Sequence, residues 1–503
     1  MKSPDERMNP SPSPSSSSAL SRFMDRRGFL RNSAAAAGGS LLLATSKSAI
    51  AQQSAAGRTI KCALVGCGAQ GNAIRIASKD VPGIQWVAVS DIWAYNRSPT
   101  ARRMGLENKH QTDGPVREYE TIEELLEKEK EVEAVFIATP DFLHAPFSRL
   151  ALEKGKSVYC EKMMSNTIEG ARDMVKAGRE NKGIFQIGHQ RHSNPRYINL
   201  RDNVIGKNNL LGRVTHCYGQ WNRGVSASVP LGVPKNQDIP AEMLTKYGYA
   251  DMLQFRNWRF FSKYGAGPLS DLGAHQIDMF NWMYDTTPLS VIATGGVDYY
   301  DGSTGDDGQP KAKFELPDNV MCLYEFKLPS GTMRAYYQVL TTTGSQGFYE
   351  KHMGVEGTAI ISEAALYNQV YAEPGKEWNK YGEMMVEGGH PMIMKAADKI
   401  KNKFWEQSRN WEKPKPPSYT KAGAADVRES KALDQWELGV PLNRPAHAPH
   451  VQNFIEAVQQ NKPEHLTCDV VSAFKSCVTV LKAYEAINTG AKVAFTPQDF
   501  EVA

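Results

Sequence analysis

Thr59-Ile60-Lys61-Cys62-Ala63-Leu64-Val65-Gly66-Cys67-Gly68-Ala69-Gln70-Gly71 decides how the chain is read. Residues 59–65 are apolar enough for a buried strand, and the next six spell G-x-G-x-x-G. Asn72 to Lys79 can follow as a helix. The glycine motif carries information only in this order of strand, glycines and helix. Gly66, Gly68 and Gly71 let the backbone approach a pyrophosphate, Ala69 and Gln70 complete the cradle, and the helix N-terminus faces the negative charge. A second apolar strand, Ile84 to Val89, ends at Ser90-Asp91. Asp91 stands twenty residues beyond Gly71, where an acid accepts hydrogen bonds from an adenosine ribose. An acid there favours NAD, because it repels the 2′-phosphate of NADP. Arg97 nearby leaves NADP open.

The alternation continues outward. Glu120–Lys130 reads as a helix, Val132–Pro140 as a strand with its exit turn, Ala145–Lys154 as a helix and Lys156–Cys160 as a strand running into Glu161-Lys162. This pattern predicts an α/β fold: an N-terminal Rossmann domain over residues 58–185, with ligands at the strands' C-terminal ends. Strands are then expected over 213–221, 289–297, 320–326, 332–340 and 354–361. They predict a C-terminal α+β domain, residues 186–503, with an open, largely antiparallel sheet. Residues 365–445, rich in Lys, Glu, Gly and Pro, read as an excursion wrapping the sheet or a neighbouring subunit. Amphipathic helices close the chain at 451–458 and 472–489, and there are no repeats.

Composition narrows the function. The chain has 503 residues, 41% hydrophobic and 23% charged, enough for two or three domains. No apolar run is long enough to span a bilayer, so stable membrane insertion is not expected. Residues 1–51 hold seven Lys/Arg and three Asp/Glu, which accounts for the whole net charge of +4 and leaves the remainder balanced. A nucleic-acid partner is therefore not expected. Residues 9–18 are low-complexity. Then Asp25-Arg26-Arg27-Gly28-Phe29-Leu30, an Ala-rich run and Ala49-Ile50-Ala51 resemble a twin-arginine signal cleaved near Ala51. That pattern predicts the twin-arginine export machinery as a partner and a periplasmic or otherwise exported protein. The seven cysteines all follow Ala51, are odd in number and include no CxxC pair, so buried free thiols are expected. His189-x-x-His192 and His447-x-x-His450 lack a convincing third ligand, and no metal is expected.

Three segments together resemble the Gfo/Idh/MocA oxidoreductases, the family of glucose–fructose oxidoreductase and inositol dehydrogenase. They are the glycine motif with Asp91; Ala138-Thr139-Pro140-Asp141-Phe142-Leu143-His144 leading to Gly155–Lys162; and Gly267–Asp278. The resemblance covers about residues 58–490. It implies that Thr139, Pro140, His144, Glu161 and Lys162 serve the cofactor. The family's Glu-Lys-Pro motif stands here as Glu161-Lys162-Met163, and its lysine lies near the nicotinamide and the reacting carbinol. The family's Asp-x-x-x-His pair falls on Asp271 and His275, four residues apart and on one face if helical. Asp278 shares that face. Arg191, Trp221, Arg223, Trp258, Arg259 and Asp278 are expected to line a sugar pocket, where aromatic faces and guanidinium groups suit a polyhydroxylated ring.

Oxidising a secondary alcohol removes a hydride from carbon and a proton from oxygen. His275 is expected to take the proton as general base, Lys162 to stabilise the alkoxide and Asp271 to orient them, with the His275 and Lys162 roles open to exchange. The expected activity is NAD(P)-dependent oxidation or reduction of a sugar, cyclitol or glycoside, with a tightly held cofactor because little free NAD is available outside the cytoplasm. Two alternatives remain open: an NAD-dependent glycosidase cycling through oxidation, elimination, hydration and reduction, and a non-catalytic sugar-binding relative. Covering the open sheet predicts a homo-oligomer, a dimer or tetramer.

Overall fold

Strand β1 (Ile60–Val65) is buried at every position but Lys61, as a central strand of a two-sided sheet requires. The computed structural model describes residues 57–225, 230–305, 308, 311–364, 367–395 and 433–502. The expected signal and cleavage site, residues 1–51, lie outside them.

After β1 come α1 (Ala69–Ser78), β2 (Ile84–Ser90), α2 (Ala94–Glu107), β3 (Arg117–Tyr119), α3 (Ile122–Lys128), β4 (Ala134–Ile137), α4 (Asp141–Glu153), β5 (Ser157–Glu161), α5 (Ile168–Glu180) and β6 (Phe185–Gly188). The strands form one parallel sheet in the order β3-β2-β1-β4-β5-β6. The strand order reverses between β1 and β4, the switch point where such sheets bind ligands. Helix α3 has a local start signal: Thr121 Oγ1 accepts from the Glu124 N–H at 3.2 Å.

The second sheet has ten strands. They are β7 (Val214–Asn222), β8 (Pro288–Gly296), β9 (Asn319–Leu328), β10 (Gly331–Leu340), β11 (Phe348–Gly354), β12 (Gly357–Ile361) and β13 (Asn368–Ala372), with shorter strands at Ile393–Lys395, Asp434–Leu438 and Val493–Ala494. Every pairing is antiparallel except β7 with β10. The α/β class and the largely antiparallel second sheet agree with the sequence reading. Two local expectations change. The strand expected over 354–361 is broken by a turn into β11 and β12. The excursion expected at 365–445 is regular in part: β13 and Asp434–Leu438 pair and extend the sheet, while residues 373–392 hold only turns, one short helix and a hairpin of two-residue strands. Residues 396–432 lie outside the described residues.

Strands β9 and β10 alternate between buried and more exposed residues. Val320, Cys322, Tyr324, Met333, Ala335 and Tyr337 are buried in the core with α6 (Ala274–Trp282) and α8 (Val470–Thr489). A further helix, α7 (Ala448–Gln460), returns to the first domain. Its Val451, Phe454 and Ile455 complete the cluster built on Ile60, Trp86 and Phe136. All seven cysteines are buried and free. No helix among the described residues is long and apolar enough to cross a membrane.

Candidate active site

The glycine cradle is built by exclusion. Gly66 has φ +93°, and a Cβ there would lie 2.5 Å from the Ala138 carbonyl oxygen. A Cβ on Gly71 would lie 2.0 Å from the Gly66 carbonyl oxygen. At Gly68 the nearest neighbour is the Asn96 amide at 3.9 Å, so this backbone faces open space. Helix α1 has neither a side-chain cap nor an acid in its first turn. Its first N–H groups are therefore available to an anion. Asp91 fixes the loop: its Oδ2 accepts from Cys67 N and its Oδ1 from Trp93 N, each at 2.8 Å. Each oxygen keeps a second acceptor position for a hydroxyl. Arg97 is committed elsewhere, to the Asp91 carbonyl at 2.6 Å and to Glu118 at 3.5 Å. These features fit a dinucleotide.

Two adjoining cavities open here. One, of about 360 Å³, is lined by Gly66, Gly68, Ala69, Gln70, Asp91, Thr139, Pro140, Asp141 and Trp258. The other, of about 510 Å³, is lined by Gln190, Trp221, Arg223, His275, Phe348, Glu363 and His447. Glu161, Lys162, Arg256, Arg259 and Asp271 border both. Among the described residues no group of His, Cys, Asp and Glu could hold a metal.

Asp271 is the electrostatic centre. Arg259 Nε lies 2.9 Å from its Oδ1, Lys162 Nζ 3.7 Å from the same oxygen, and Arg223 Nη1 4.0 Å from its Oδ2. Burial alone would raise the Asp271 pKa; the three cations outweigh it and hold the carboxyl well below the usual carboxylate range. Lys162 also donates to the Asp271 backbone carbonyl, and the Lys162–Met163 peptide is cis. Leu269–Gly273 forms a π-helical turn leading into α6, so the Asp271–His275 spacing is not that of one regular α-helix. Both still reach the same cavity.

The His275 ring lies 5.4 Å from that of Trp221, which stacks at 4.3 Å on Phe348. Its nitrogens have no hydrogen-bond partner among the described residues. Burial, followed by the positive charge of Lys162 and Arg191, drives its pKa well below the ordinary histidine value. It is therefore a neutral imidazole with a free lone pair at neutral pH. Asp141 behaves in the opposite way: burial and neighbouring Asp271 push its carboxyl up to about 7, against the pull of Lys162 and Arg259.

Four expected site residues lie outside both cavities; one of them, Gly71, is buried behind the cradle. His144 is buried, with ring nitrogens 2.5 and 2.8 Å from the Met163 and Thr139 carbonyls. It joins two cavity walls and does not reach a cofactor. Arg191 is buried between Glu350, to which it donates, and Glu363 at 3.2 Å, and is 3.3 Å from the His275 carbonyl. It underlies the site. Asp278 is sealed by the Gln190–Ser193 turn and by α8, accepting from His192 Nε2 at 2.9 Å and Ser476 Oγ at 2.6 Å.

The sequence reading gave no role to Asp141, Gln190, Arg256, Glu363 or His447. His447 accepts from Gln70 Nε2 at 2.9 Å across 377 residues of chain. Only Asp141, inside a quoted motif, and His447, inside a His-x-x-His pair, carried any signal.

Comparison with known proteins agrees with this geometry. Residues 60–189 match the oxidoreductase family with an NAD-binding Rossmann fold, and residues 239–359 match the GFO/IDH/MocA C-terminal domain. Both matches support membership of the Gfo/Idh/MocA family. The chain is 24% identical over 241 residues to 1,5-anhydro-D-fructose reductase of Ensifer adhaerens, covering 48% of this chain and 60% of that one. It is thus matched to less than two thirds of that relative's length. It is 23% identical over 327 residues to levoglucosan dehydrogenase of Pseudarthrobacter phenanthrenivorans, covering 61% and 74% respectively. A solved levoglucosan dehydrogenase in complex with NADH and L-sorbose shares the fold, with a TM-score of 0.59, 14% identity and coverage of 88% of this chain and 100% of that one.

Proposed function

We propose that the protein is an NAD(H)-dependent oxidoreductase acting on a secondary hydroxyl or keto group of a sugar, cyclitol or glycoside. One observation carries this: the unpartnered His275 ring and Lys162 line one cavity, which adjoins the glycine cradle. Gly68, the α1 N-terminus and Asp91 would hold the dinucleotide, and a bound nicotinamide supplies the hydride acceptor or donor. His275 takes the hydroxyl proton in the oxidative direction. Lys162 donates a hydrogen bond to the oxygen as negative charge develops. Asp271 holds Lys162 and Arg259 in place. Trp221 and Arg223 offer an apolar face and donors to a hydroxylated ring. Asp91, with Arg97 already engaged, favours NAD over NADP.

The twin-arginine pattern supports export, and export favours a retained cofactor. Exposed Leu289, Ile292, Met321 and Leu323 on β8 and β9 support a homo-oligomer.

The test is a panel of sugars, cyclitols and aryl glycosides with NAD or NADP, followed by nicotinamide absorbance. Turnover that disappears in both Lys162→Ala and His275→Ala supports the reading. Unchanged turnover in both variants overturns the site. Release of the aryl group without an added acceptor moves the assignment to a glycosidase.

A further inference from the structure

Residues 230–264 leave the second sheet after β7 and cross to the nucleotide domain. Trp93 Nε1 donates to the Gln237 carbonyl at 2.7 Å, Phe142 N to the Tyr264 carbonyl at 3.2 Å, and Tyr247 to Glu120. An apolar cluster containing Trp93, Ile239, Leu244, Tyr249 and Tyr264 seals the crossing. The segment then contributes Leu231, Tyr247, Tyr249, Phe255, Arg256 and Trp258 to the wall of the cavity that also contains the glycine cradle.

Among the described residues, Arg256 is the segment's charge that borders both cavities without an ion pair. Its guanidinium lies 4.8 Å from the centre of the Trp93 ring, and its Nε donates to the Gly232 carbonyl at 3.1 Å. Among the described residues no carboxylate lies within ion-pair distance of it. Neighbouring Arg259, by contrast, is paired with Asp271. Trp93 is two residues beyond Asp91, and Arg256 shares both cavities with Ala69 and Gln70 at the start of α1. A cation thus borders the same cavities as the start of α1, whose backbone N–H groups attract an anion.

We infer that residues 230–264 form a strap over the cofactor groove and that Arg256 is its ligand for the dinucleotide pyrophosphate. This rests on the dinucleotide reading above and deepens it: the cofactor is held from both domains, and its release requires the strap to lift.

The experiment uses the full chain and measures binding, not turnover. Affinities for NADH, ADP-ribose and adenosine are measured by calorimetry for wild type, Arg256→Gln, Arg256→Lys and Arg223→Ala, with circular dichroism confirming the fold. Nucleotide retained after dialysis is counted by mass spectrometry of the denatured protein. Arg256→Gln is expected to weaken NADH and ADP-ribose ~10–100-fold, as loss of a charge-assisted phosphate contact should, and to strip retained nucleotide. Adenosine affinity should be unchanged, Arg256→Lys should recover part of the loss, and Arg223→Ala should bind nucleotide like wild type. Wild-type affinity in Arg256→Gln, or equal weakening of adenosine and ADP-ribose, overturns the pyrophosphate assignment while leaving the dinucleotide reading intact. A wild type that binds none of the three, nor NADPH, overturns both.

Discussion

Two groups of charged side chains, drawn from positions between Lys162 and Glu350, do different work. Asp271, Lys162, Arg223 and Arg259 face a cavity; Arg191, Glu350, His192 and Asp278 are sealed beneath it. In the open group every charge stays within reach of a ligand. In the sealed group every charge is spent on another side chain or a backbone carbonyl. His192 shows the difference: its ring nitrogens face the Thr467 carbonyl and Asp278, each at 2.9 Å, so only the imidazolium satisfies both. Burial opposes that charge and Asp278 outweighs it, raising the His192 pKa well above its ordinary value. His275, one turn earlier on α6 than Asp278, has no carboxylate partner and stays neutral. Residue type alone does not separate catalytic from structural charge; access to the cavity does.

The comparison breaks first if the open group proves structural. Lys162→Ala and His275→Ala should each lower kcat by ~10²–10⁴-fold with little change in melting temperature. A collapse of the melting temperature would place them with the sealed group. Next in size is Arg191→Met, which leaves Glu350 and Glu363 without their cation. It should cost about 3–5 kcal/mol in urea unfolding and leave the substrate KM of the folded fraction unchanged. A KM effect without loss of stability would move Arg191 into the site.

The pH dependence sharpens the picture. Burial lowers the His352 and His450 pKa values to about 4 and about 3. A histidine depressed in the folded state takes up its proton first in the unfolded chain, so stability is full above about pH 6.5 and falls as pH drops. Each should remove on the order of 1–2 kcal/mol between pH 7 and pH 5. His192 has the opposite sign: its contribution is present below the unfolded pKa and lost as pH rises through the folded one. Urea midpoints at pH 5 and pH 7 measure the balance, and a flat profile would contradict the two depressed histidines. The smallest effect concerns Asp141. Its ionisation near pH 7 beside Lys162 should put a one-proton inflection in kcat/KM, and Asp141→Asn should remove it.

The fold was legible because its signals are local. The strand–glycine–helix order at 60–78 and the strand stretches at 320–326 and 332–340 each lie within a few residues. Much of the cavity rim was legible too, through motifs: Asp91, Lys162, Asp271 and His275 all border one or other of the two adjoining cavities, although a π-helical turn replaces the regular helical spacing expected of Asp271 and His275. The failures share one cause. His144, Arg191 and Asp278 sit in motifs, but which way they face is decided by elements far away in sequence. For Asp278 the deciding element is α8, whose Ser476 is 198 residues on. Arg256 and Glu363 were missed because no motif marks a residue that reaches a cavity only through tertiary contact, and His447 stood in a His-x-x-His pair that was weighed only as a metal site. The turn at Gly354-Val355-Glu356-Gly357 was missed because it was read as one strand with the apolar Ala359-Ile360-Ile361 that follow.

The return of α7 has a consequence for synthesis. Phe454 packs on Phe136 with ring centres 5.3 Å apart, and Gln459 Nε2 reaches the Arg58 carbonyl at 2.9 Å. The nucleotide half leaves the ribosome first, yet its core closes only when residues 448–460 emerge. Until then Ile60, Trp86 and Phe136 lack their last covering layer, and the nascent chain presents an apolar face to the cytoplasm for the time taken to translate about 260 further residues. A fragment ending after β6 should therefore be aggregation-prone.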